Sequence, residues 1–269
     1  MKFVIVGFGY FGKIISSKLP KDGEIIIVDP FTTSDYKDLG DVPFIDGKWF
    51  ITTPASTHYN ILCKLFEKGV QDVWVEKPIC ATLEATLDIF AKLPDNVFLY
   101  CDFTWLKHPS ILRLGEYVYV NSIQHLELKW LNDGSQIPGD VNIVMDLAVH
   151  PISIVTFLLF KNKDLIKNIK IIYNNSKSVI IHGSSECGCT FNIEVSNNSK
   201  TKARTISLYS RDSIRWNSNS QFFIENIGNI EPSDAIENNI TSFINGRGNP
   251  TFCLDIARTL ECINKQLSP

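Results

Sequence analysis

An aspartate and a histidine four residues apart, Asp146 and His150, have the types and spacing to move a proton. On a helix, residues four apart share a face, so the carboxylate can position the imidazole and favour its charged form. Histidine titrates near neutral pH and suits a general acid or base. The pairing requires that the helix begin before Asp146, because Pro151 lacks an N–H and disturbs a helix around it. Taken alone, such a pair is more often a structural hydrogen bond.

A lysine follows a second predicted element in Glu76-Lys77-Pro78, directly after the apolar run 73–75. The run predicts a buried strand, and Pro78 fixes the chain after it. The carboxyl ends of parallel strands face the crevice in which open α/β sheets bind ligands. A lysine there can stabilise negative charge that develops on a reacting oxygen. The ordinary interpretation of a lysine at a strand end is a solvated side chain.

A glycine-rich turn lies between the apolar run 2–6 and the helical segment 13–19. Gly7 permits a tight turn, Gly9 lets a pyrophosphate approach the backbone, and Gly12 lets the helix pack close to the strand. The helix N-terminus then offers N–H groups and a positive dipole end to phosphates. The alternative is a βαβ unit without a ligand. We predict that the cofactor-binding loop consists of Gly7, Phe8, Gly9, Tyr10, Phe11 and Gly12.

The next strand, 24–28, ends in Asp29, 17 residues after Gly12. That spacing is close to the one expected for a carboxylate that binds the adenosine ribose hydroxyls. A carboxylate repels a 2′-phosphate, and no arginine follows in residues 30–34. The sequence therefore favours NAD over NADP. Lys37 is the nearest cation and could weaken that preference.

The third predicted strand, 48–52, leads into Thr53-Pro54 and then His58. One interpretation is a helix start, with Thr57 as its cap and His58 in the first turn. The other is contact with the nicotinamide side of the cofactor, because this segment also lies at the carboxyl end of a strand. We include Thr53, Pro54, His58, Glu76 and Lys77 among the predicted cofactor-binding residues.

In order and spacing, these motifs together with Asp146-Leu147-Ala148-Val149-His150 resemble the glucose–fructose oxidoreductase / inositol dehydrogenase family, Gfo/Idh/MocA. The resemblance covers the first domain and the start of the second, and beyond about residue 165 only the strand pattern is compatible. It implies an NAD(P)-dependent oxidoreductase that acts on a hydroxyl or carbonyl of a sugar, cyclitol or nucleotide-linked sugar.

The resemblance also implies that Lys77, Asp146 and His150 face the nicotinamide. His150 then exchanges the hydroxyl proton, Lys77 hydrogen-bonds the reacting oxygen, and Asp146 orients His150 or binds a neighbouring hydroxyl. Two alternatives remain: a reductase of a non-sugar such as a linear tetrapyrrole, and a non-catalytic dinucleotide sensor that binds another protein. Lower-ranked pocket candidates are Trp105, Lys107, His108, Trp130, Asn132 and Asp133. The sequence favours a solvated linker residue for Lys107, and the last three are also interpretable as residues of a turn.

Composition narrows the class of protein. A net charge of −3, a pI of about 6.0 and the lack of a basic stripe argue against nucleic acid as a partner. The apolar run 152–160 is too short to cross a membrane, and glycines interrupt the first apolar run, so we expect neither a membrane anchor nor a signal peptide. The seven scattered cysteines predict reduced thiols, a cytoplasmic location and no metal site.

The elements that must position these residues fall into two predicted domains. Residues 1–103 alternate strands and helices, which predicts a Rossmann domain with a parallel sheet. Residues 104–269 predict an α+β domain with an open, largely antiparallel sheet, a helix at 143–160 and two closing helices. Apolar and polar side chains alternate over residues 122–131, which predicts a strand with one solvent-exposed face. Because such a sheet needs its other face covered, we expect a homodimer or homotetramer formed through it.

Overall fold

The structure, a computed structural model, describes residues 1–134, 141–175, 177–246 and 250–267. The chain forms two compact units. The first comprises Met1–Phe103 and Ile236–Leu254, and the second Thr104–Ala235 and Asp255–Pro269. The domain division at residues 103 and 104 stays a prediction, to which the structure adds that Ile236–Leu254 groups with the first unit.

The first unit alternates strands and helices: β1 Lys2–Val6, α1 Tyr10–Lys18, β2 Glu24–Val28, β3 Lys48–Ile51, α2 Ala55–Glu67, β4 Asp72–Glu76, α3 Leu83–Lys92 and β5 Phe98–Asp102. All strand pairs are parallel, in the order β2-β1-β3-β4-β5. The central strands are buried along most of their length, as expected for a parallel sheet covered on both faces. This confirms the Rossmann-like sheet predicted from the sequence.

Aromatic side chains form the core of the first unit. Phe50 packs edge-on against Phe243, with ring centroids 5.2 Å apart, and tilted against Trp74 at 5.6 Å. Phe243 and Ile240 come from the helix Ala235–Ile244, far along the chain. Residues 236–244 therefore complete a core that the first hundred residues leave open.

The second unit contains α4 Pro109–Val120, β6 His125–Leu131, a π-helical turn Val144–Ala148, α5 Val149–Lys161, β7 Ile166–Asn175, β8 Ser178–Ser185, β9 Thr190–Ser196, β10 Ala203–Tyr209, β11 Ser213–Asn217, β12 Phe223–Glu225 and β13 Gly228–Asn229. The helices α6 Ala235–Ile244 and α7 Pro250–Leu267 follow. The strand order is β13-β12-β11-β10-β6-β9-β8-β7, and only β6 and β9 pair in parallel. The open, largely antiparallel sheet is confirmed.

The predicted alternation of β6 is present. Leu126, Leu128 and Trp130 are buried on the inner face, opposite Leu208, Ile206 and Arg204 of β10. The outer face carries polar side chains that pair across strands, such as Lys129 with Glu194 at 3.1 Å. Because polar pairs cover that face, its solvation costs little, and a homodimer or homotetramer through the sheet stays a prediction.

Two predicted helices differ from the observed ones, and an observed strand was not predicted. The helix expected at 143–160 begins with a π-helical turn, because Pro151 lacks an N–H and its ring crowds the carbonyl four residues earlier. The helix expected from residue 57 begins at Ala55, so Thr57 is not its cap. Strand β11 was not predicted, because only Ile214 and Trp216 alternate within a polar segment.

Residues Val144–Lys161 are long and apolar enough to cross a membrane by length and composition alone, with a mean hydropathy of 1.6. Of this stretch, 72% is buried within the protein. That burial is typical of a core helix, and the helix packs on the inner face of the second sheet.

Candidate functional site

The glycine loop after β1 has the geometry that a phosphate-binding turn requires. Gly7 has a φ of +93°, and a Cβ on Gly12 would lie 2.2 Å from the Gly7 carbonyl oxygen. A Cβ on Gly9 would meet nothing within 4 Å, so the space above this residue is open. The first hydrogen bond of α1 runs from the Lys13 N–H to the Gly9 carbonyl, 3.2 Å. The N–H groups of the preceding turn therefore face the open space at the helix N-terminus.

The aromatic residues of this loop differ in their environments. Tyr10 is 85% exposed, whereas Phe11 stacks on the core residue Trp74 with ring centroids 6.1 Å apart. Phe8 packs against the same core and donates its backbone N–H to Asp29. These residues thus offer a ligand mainly their backbone, while two of the three rings anchor the loop.

Asp29 fixes the loops on either side of it. Its Oδ2 accepts the Phe8 N–H at 2.6 Å, and its Oδ1 accepts the N–H groups of Phe31 and Thr32 at 2.7 and 2.9 Å. Burial acts to raise the pKa of Asp29, but these hydrogen bonds outweigh it and hold the pKa below its usual value. Oδ2 accepts one of these three bonds and keeps a second lone pair for a ligand hydroxyl. Asp29 therefore carries a fixed negative charge beside the glycine loop.

His58 is completely buried and lies between two backbone carbonyls. Its Nδ1 is 2.9 Å from the Pro78 oxygen and its Nε2 is 2.8 Å from the Thr53 oxygen. The side chain thus ties the segment after β3 to the segment after β4. These contacts give His58 a positioning role for the two segments, and its contact with the cofactor stays a prediction.

The residues after β3 surround the glycine loop. The Thr52 hydroxyl donates to the Gly7 carbonyl at 2.5 Å. Thr53 lies against Gly7, since a Cβ there would be 2.7 Å from the Thr53 methyl carbon. Thr57 donates its hydroxyl to Thr53 Oγ1 at 2.7 Å, and Pro54 is exposed. This packing explains why a small residue is required at position 7.

Lys77 follows β4 at the same edge of the first sheet. Glu76 is the last residue of the strand, both side chains are half-buried, and the Lys77–Pro78 peptide bond is cis. The strand order reverses between β1 and β3, so this edge contains the topological switch point at which open α/β sheets bind ligands. The glycine loop follows β1 and Lys77 follows β4, so both lie at the carboxyl edge of the first sheet, on the two strands that flank β3.

In the second unit, Asp146 lies in the π-helical turn and His150 in the first turn of α5. The helix includes both residues, so the geometric condition for pairing them is met. A π-turn holds more residues than an α-turn, so side chains four apart are close to one full turn apart. Asn142 caps this turn, since its Oδ1 accepts the N–H groups of Val144 and Met145 at 3.0 Å.

His150 borders an aromatic cluster. Its ring lies 5.9 Å from that of Trp130 and both residues belong to the second unit. Trp105 packs edge-on against Trp130 at 4.9 Å and stacks with His108 at 5.5 Å. Burial lowers the pKa of His108. Its Nδ1 accepts the Ser110 N–H that begins α4.

The lower-ranked candidates separate into two groups. Trp105, Trp130 and Asn132 lie in or beside the aromatic cluster, whereas Asp133 is an exposed turn residue. Lys107 ends the short 3₁₀ turn Thr104–Lys107 and is half-buried. Sequence reasoning missed Arg204, which lies beside both tryptophans. The available signal was an arginine at the inward position of a strand whose next inward residues are Ile206 and Leu208.

Comparison with known proteins supports the resemblance. Residues 27–96 match the family Gfo/Idh/MocA, described as an oxidoreductase family with an NAD-binding Rossmann fold, which confirms the family resemblance seen in the sequence motifs. A comparison with curated protein sequences gives no match.

Solved structures match over almost the whole chain. UDP-N-acetylglucosamine 3-dehydrogenase GnnA from Acidithiobacillus ferrooxidans has a TM-score of 0.83 at 16% identity, covering 100% of this chain and 99% of that one. Myo-inositol dehydrogenase from Lactobacillus casei, in complex with NAD(H) and myo-inositol, has a TM-score of 0.80 at 15% identity, covering 99% and 94%. GenD2 from gentamicin A biosynthesis, in complex with NAD, has a TM-score of 0.79 at 16% identity, covering 99% and 93%. At these identities the likeness shows the fold.

Proposed function

We propose that this chain, which matches the Gfo/Idh/MocA oxidoreductases over residues 27–96, is an NAD-dependent dehydrogenase or reductase. It interconverts a hydroxyl and a carbonyl group of a sugar, a cyclitol or a nucleotide-linked sugar. One observation carries the proposal above all others: an open space over Gly9, at a helix N-terminus and beside a charged Asp29, at the switch point of a parallel sheet.

The residues of the first unit fit a dinucleotide. The first turn of α1 can bind the pyrophosphate, and Asp29 can accept a ribose hydroxyl on Oδ2. The fixed negative charge of Asp29 opposes a 2′-phosphate, which favours NAD over NADP. NAD supplies the nicotinamide that exchanges a hydride with the substrate carbon.

The chain's own residues manage the proton and the developing charge. In the oxidative direction, a ring nitrogen of His150 accepts the hydroxyl proton, and in reduction it returns that proton to the oxygen. Lys77 Nζ donates a hydrogen bond to the same oxygen and stabilises its partial negative charge. Asp146, close to one turn before His150 on the helix, orients the imidazole and favours its charged form. Oxidation of the alcohol thus releases one proton, which His150 accepts, and one hydride, which the nicotinamide accepts.

The substrate class rests on the solved structures of similar fold, which act on a nucleotide-linked sugar and on a cyclitol. A reductase of a linear tetrapyrrole and a non-catalytic sensor remain the alternatives. A sensor has no need of a proton-transferring histidine, so turnover itself separates it from an enzyme. A cytoplasmic location and a homo-oligomeric state complete the prediction.

A screen of NAD⁺ with sugars, cyclitols and nucleotide-linked sugars, followed by NADH absorbance, tests the proposal. Once a substrate is found, Lys77→Met is expected to abolish turnover while NADH binding persists. Lys21→Met, at an exposed lysine of the first unit, is the matched control and should retain turnover. Loss of NADH binding in Lys77→Met would instead identify a structural lysine and contradict its assigned role.

A further inference from the structure

Arg204 lies in a corner formed by two perpendicular indole rings of the second unit. Its guanidinium carbon is 5.2 Å from the Trp105 ring and 5.3 Å from the Trp130 ring. The planes of the two indole rings are inclined to each other by 89°. Such cation–π contacts hold the guanidinium in place and remove water from its faces.

None of the ion pairs between described residues involves the charge of Arg204. Within the described ranges of the chain, no carboxylate forms an ion pair with it, and its Nε has no hydrogen-bond partner. Nη2 makes one long hydrogen bond, 3.4 Å, to Asn132 Oδ1. Burial lowers the pKa of Arg204, because the guanidinium has lost solvent. A half-buried cation held this way is destabilising by itself, and an anion would offset that cost.

Trp130 adds a second unsatisfied donor. The residue is completely buried, and its Nε1–H has no partner among the residues that the structure describes. The same ring contacts both Arg204 and His150. The imidazole and the guanidinium therefore belong to one aromatic cluster, joined by the Trp130 ring.

The inner rows of the two strands change in residue type at this corner. Along β6 the row runs Leu126, Leu128, Trp130, and along β10 it runs Leu208, Ile206, Arg204. The rows are aliphatic until the last position, where both change. A structural core would continue with another aliphatic pair, whereas a binding site places a donor-rich pair at its edge.

We propose that Arg204 binds an oxyanion of the substrate, a carboxylate or a phosphate group, on the same ring system as His150. This inference rests on the proposed function and narrows its substrates to acidic sugars or sugar phosphates. The guanidinium fork suits both groups, because each accepts two parallel N–H hydrogen bonds. Arg204 is thus a specificity-determining residue, and His150 keeps the proton transfer.

The test uses the full chain and intrinsic tryptophan emission, since Trp105 and Trp130 both contact Arg204. The probes are D-glucuronate, D-glucose 6-phosphate and the neutral D-glucuronamide. We expect the wild type to bind one or both anions more tightly than the amide. Arg204→Met should lower that anion affinity roughly tenfold to hundredfold and leave the amide unchanged. Arg215→Met, at an exposed arginine of β11, is the matched control.

Thermal unfolding separates a binding residue from a structural one. Replacing an unpaired half-buried cation by an apolar side chain should leave the melting temperature unchanged or raise it. A lower melting temperature together with unchanged anion affinity would identify a structural arginine and overturn the inference. The two anionic probes distinguish a carboxylate site from a phosphate site, and equal affinity for all three probes would also overturn it.

NADH binding is measured in parallel and reports on the first unit. If NADH binds but the anion preference is absent, this inference fails and the proposed function stands. If the anion preference is present but NADH does not bind, the proposed function fails and Arg204 remains an anion-binding residue.

Discussion

Polar groups have opposite roles in two regions of the molecule. One region is the glycine loop of the first unit, and the other is the corner that Trp105 and Trp130 form around Arg204 in the second unit. In the first, Asp29, His58 and Thr52 direct their polar atoms to backbone groups and fix loops. In the second, Arg204 and Trp130 keep N–H groups that find no partner among the described residues. The first arrangement shapes a surface of backbone for a cofactor common to many enzymes. In our proposal the second leaves the Arg204 donors for the substrate.

This difference predicts that changes in the two regions separate cofactor binding from turnover. The largest effect is expected from His150→Asn. Removing a general acid/base should lower kcat roughly hundredfold to ten-thousandfold, with NADH affinity unchanged. His125→Asn, at a half-buried histidine on the outer face of β6, is the control in steady-state kinetics. Loss of NADH affinity in His150→Asn as well would contradict the separation of cofactor binding from turnover.

The next effect is expected at Gly9. A Cβ there meets no protein atom within 4 Å, so Gly9→Ala should change the unfolding free energy by less than about 1 kcal/mol. The methyl group of the alanine would occupy the space left for the pyrophosphate, so NADH affinity should fall about tenfold or more. Fluorescence titration and thermal unfolding measure the two quantities. Full NADH affinity in Gly9→Ala would show that the phosphates lie elsewhere.

Asp29→Asn tests whether one carboxylate both fixes the loops and selects the cofactor. The amide nitrogen cannot accept the N–H bonds that the carboxylate accepts, so stability should fall by about 1–3 kcal/mol at pH 7. The preference for NADH over NADPH should narrow in the same variant.

The pH dependence of Asp29→Asn has a defined sign. The folded pKa of Asp29 is lowered, so its contribution is complete above its ordinary value of 3.8 and is lost as pH falls through the lower folded value. The difference in melting temperature between wild type and variant should therefore shrink at acidic pH. A difference that grows on acidification would contradict the hydrogen-bonded carboxylate.

The smallest effect concerns His108, beside the aromatic cluster. Burial lowers its folded pKa below the ordinary value of 6.5, so its protonation opposes folding. Stability should be highest above pH 6.5 and should decline as pH falls toward the folded pKa. His108→Asn keeps an acceptor for the Ser110 N–H and removes the titration. Its melting temperature should depend less on pH than the wild type's between pH 8 and 5.5.

The same contrast explains what could be predicted from the sequence. The glycine loop, Asp29 and the parallel sheet follow from local patterns, because glycine spacing and apolar runs dictate the backbone directly. His58 shows the limit of that reasoning, because its contact with the Pro78 carbonyl, twenty residues further along the chain, could not be predicted from its position after a strand. Hydrogen bonds between distant loops leave no periodic signal.

The second unit was harder to predict for a physical reason. Its candidate site residues come from separate strands that pair across the sheet, such as Trp130 and Arg204, and no spacing along the chain connects them. The contribution of residues 236–244 to the first core is likewise a long-range packing effect, decided by Phe243 meeting Phe50. The π-helical turn, in contrast, could be anticipated from Pro151.

One titration tests the central claim most directly. Purified protein is titrated with NADH and with NADPH while tryptophan emission is recorded, in the wild type and in Gly9→Ala. We expect tight binding of NADH, weaker binding of NADPH, and loss of NADH affinity in the variant. Preference for NADPH would contradict the role given to Asp29, and binding of neither nucleotide would contradict the dehydrogenase itself.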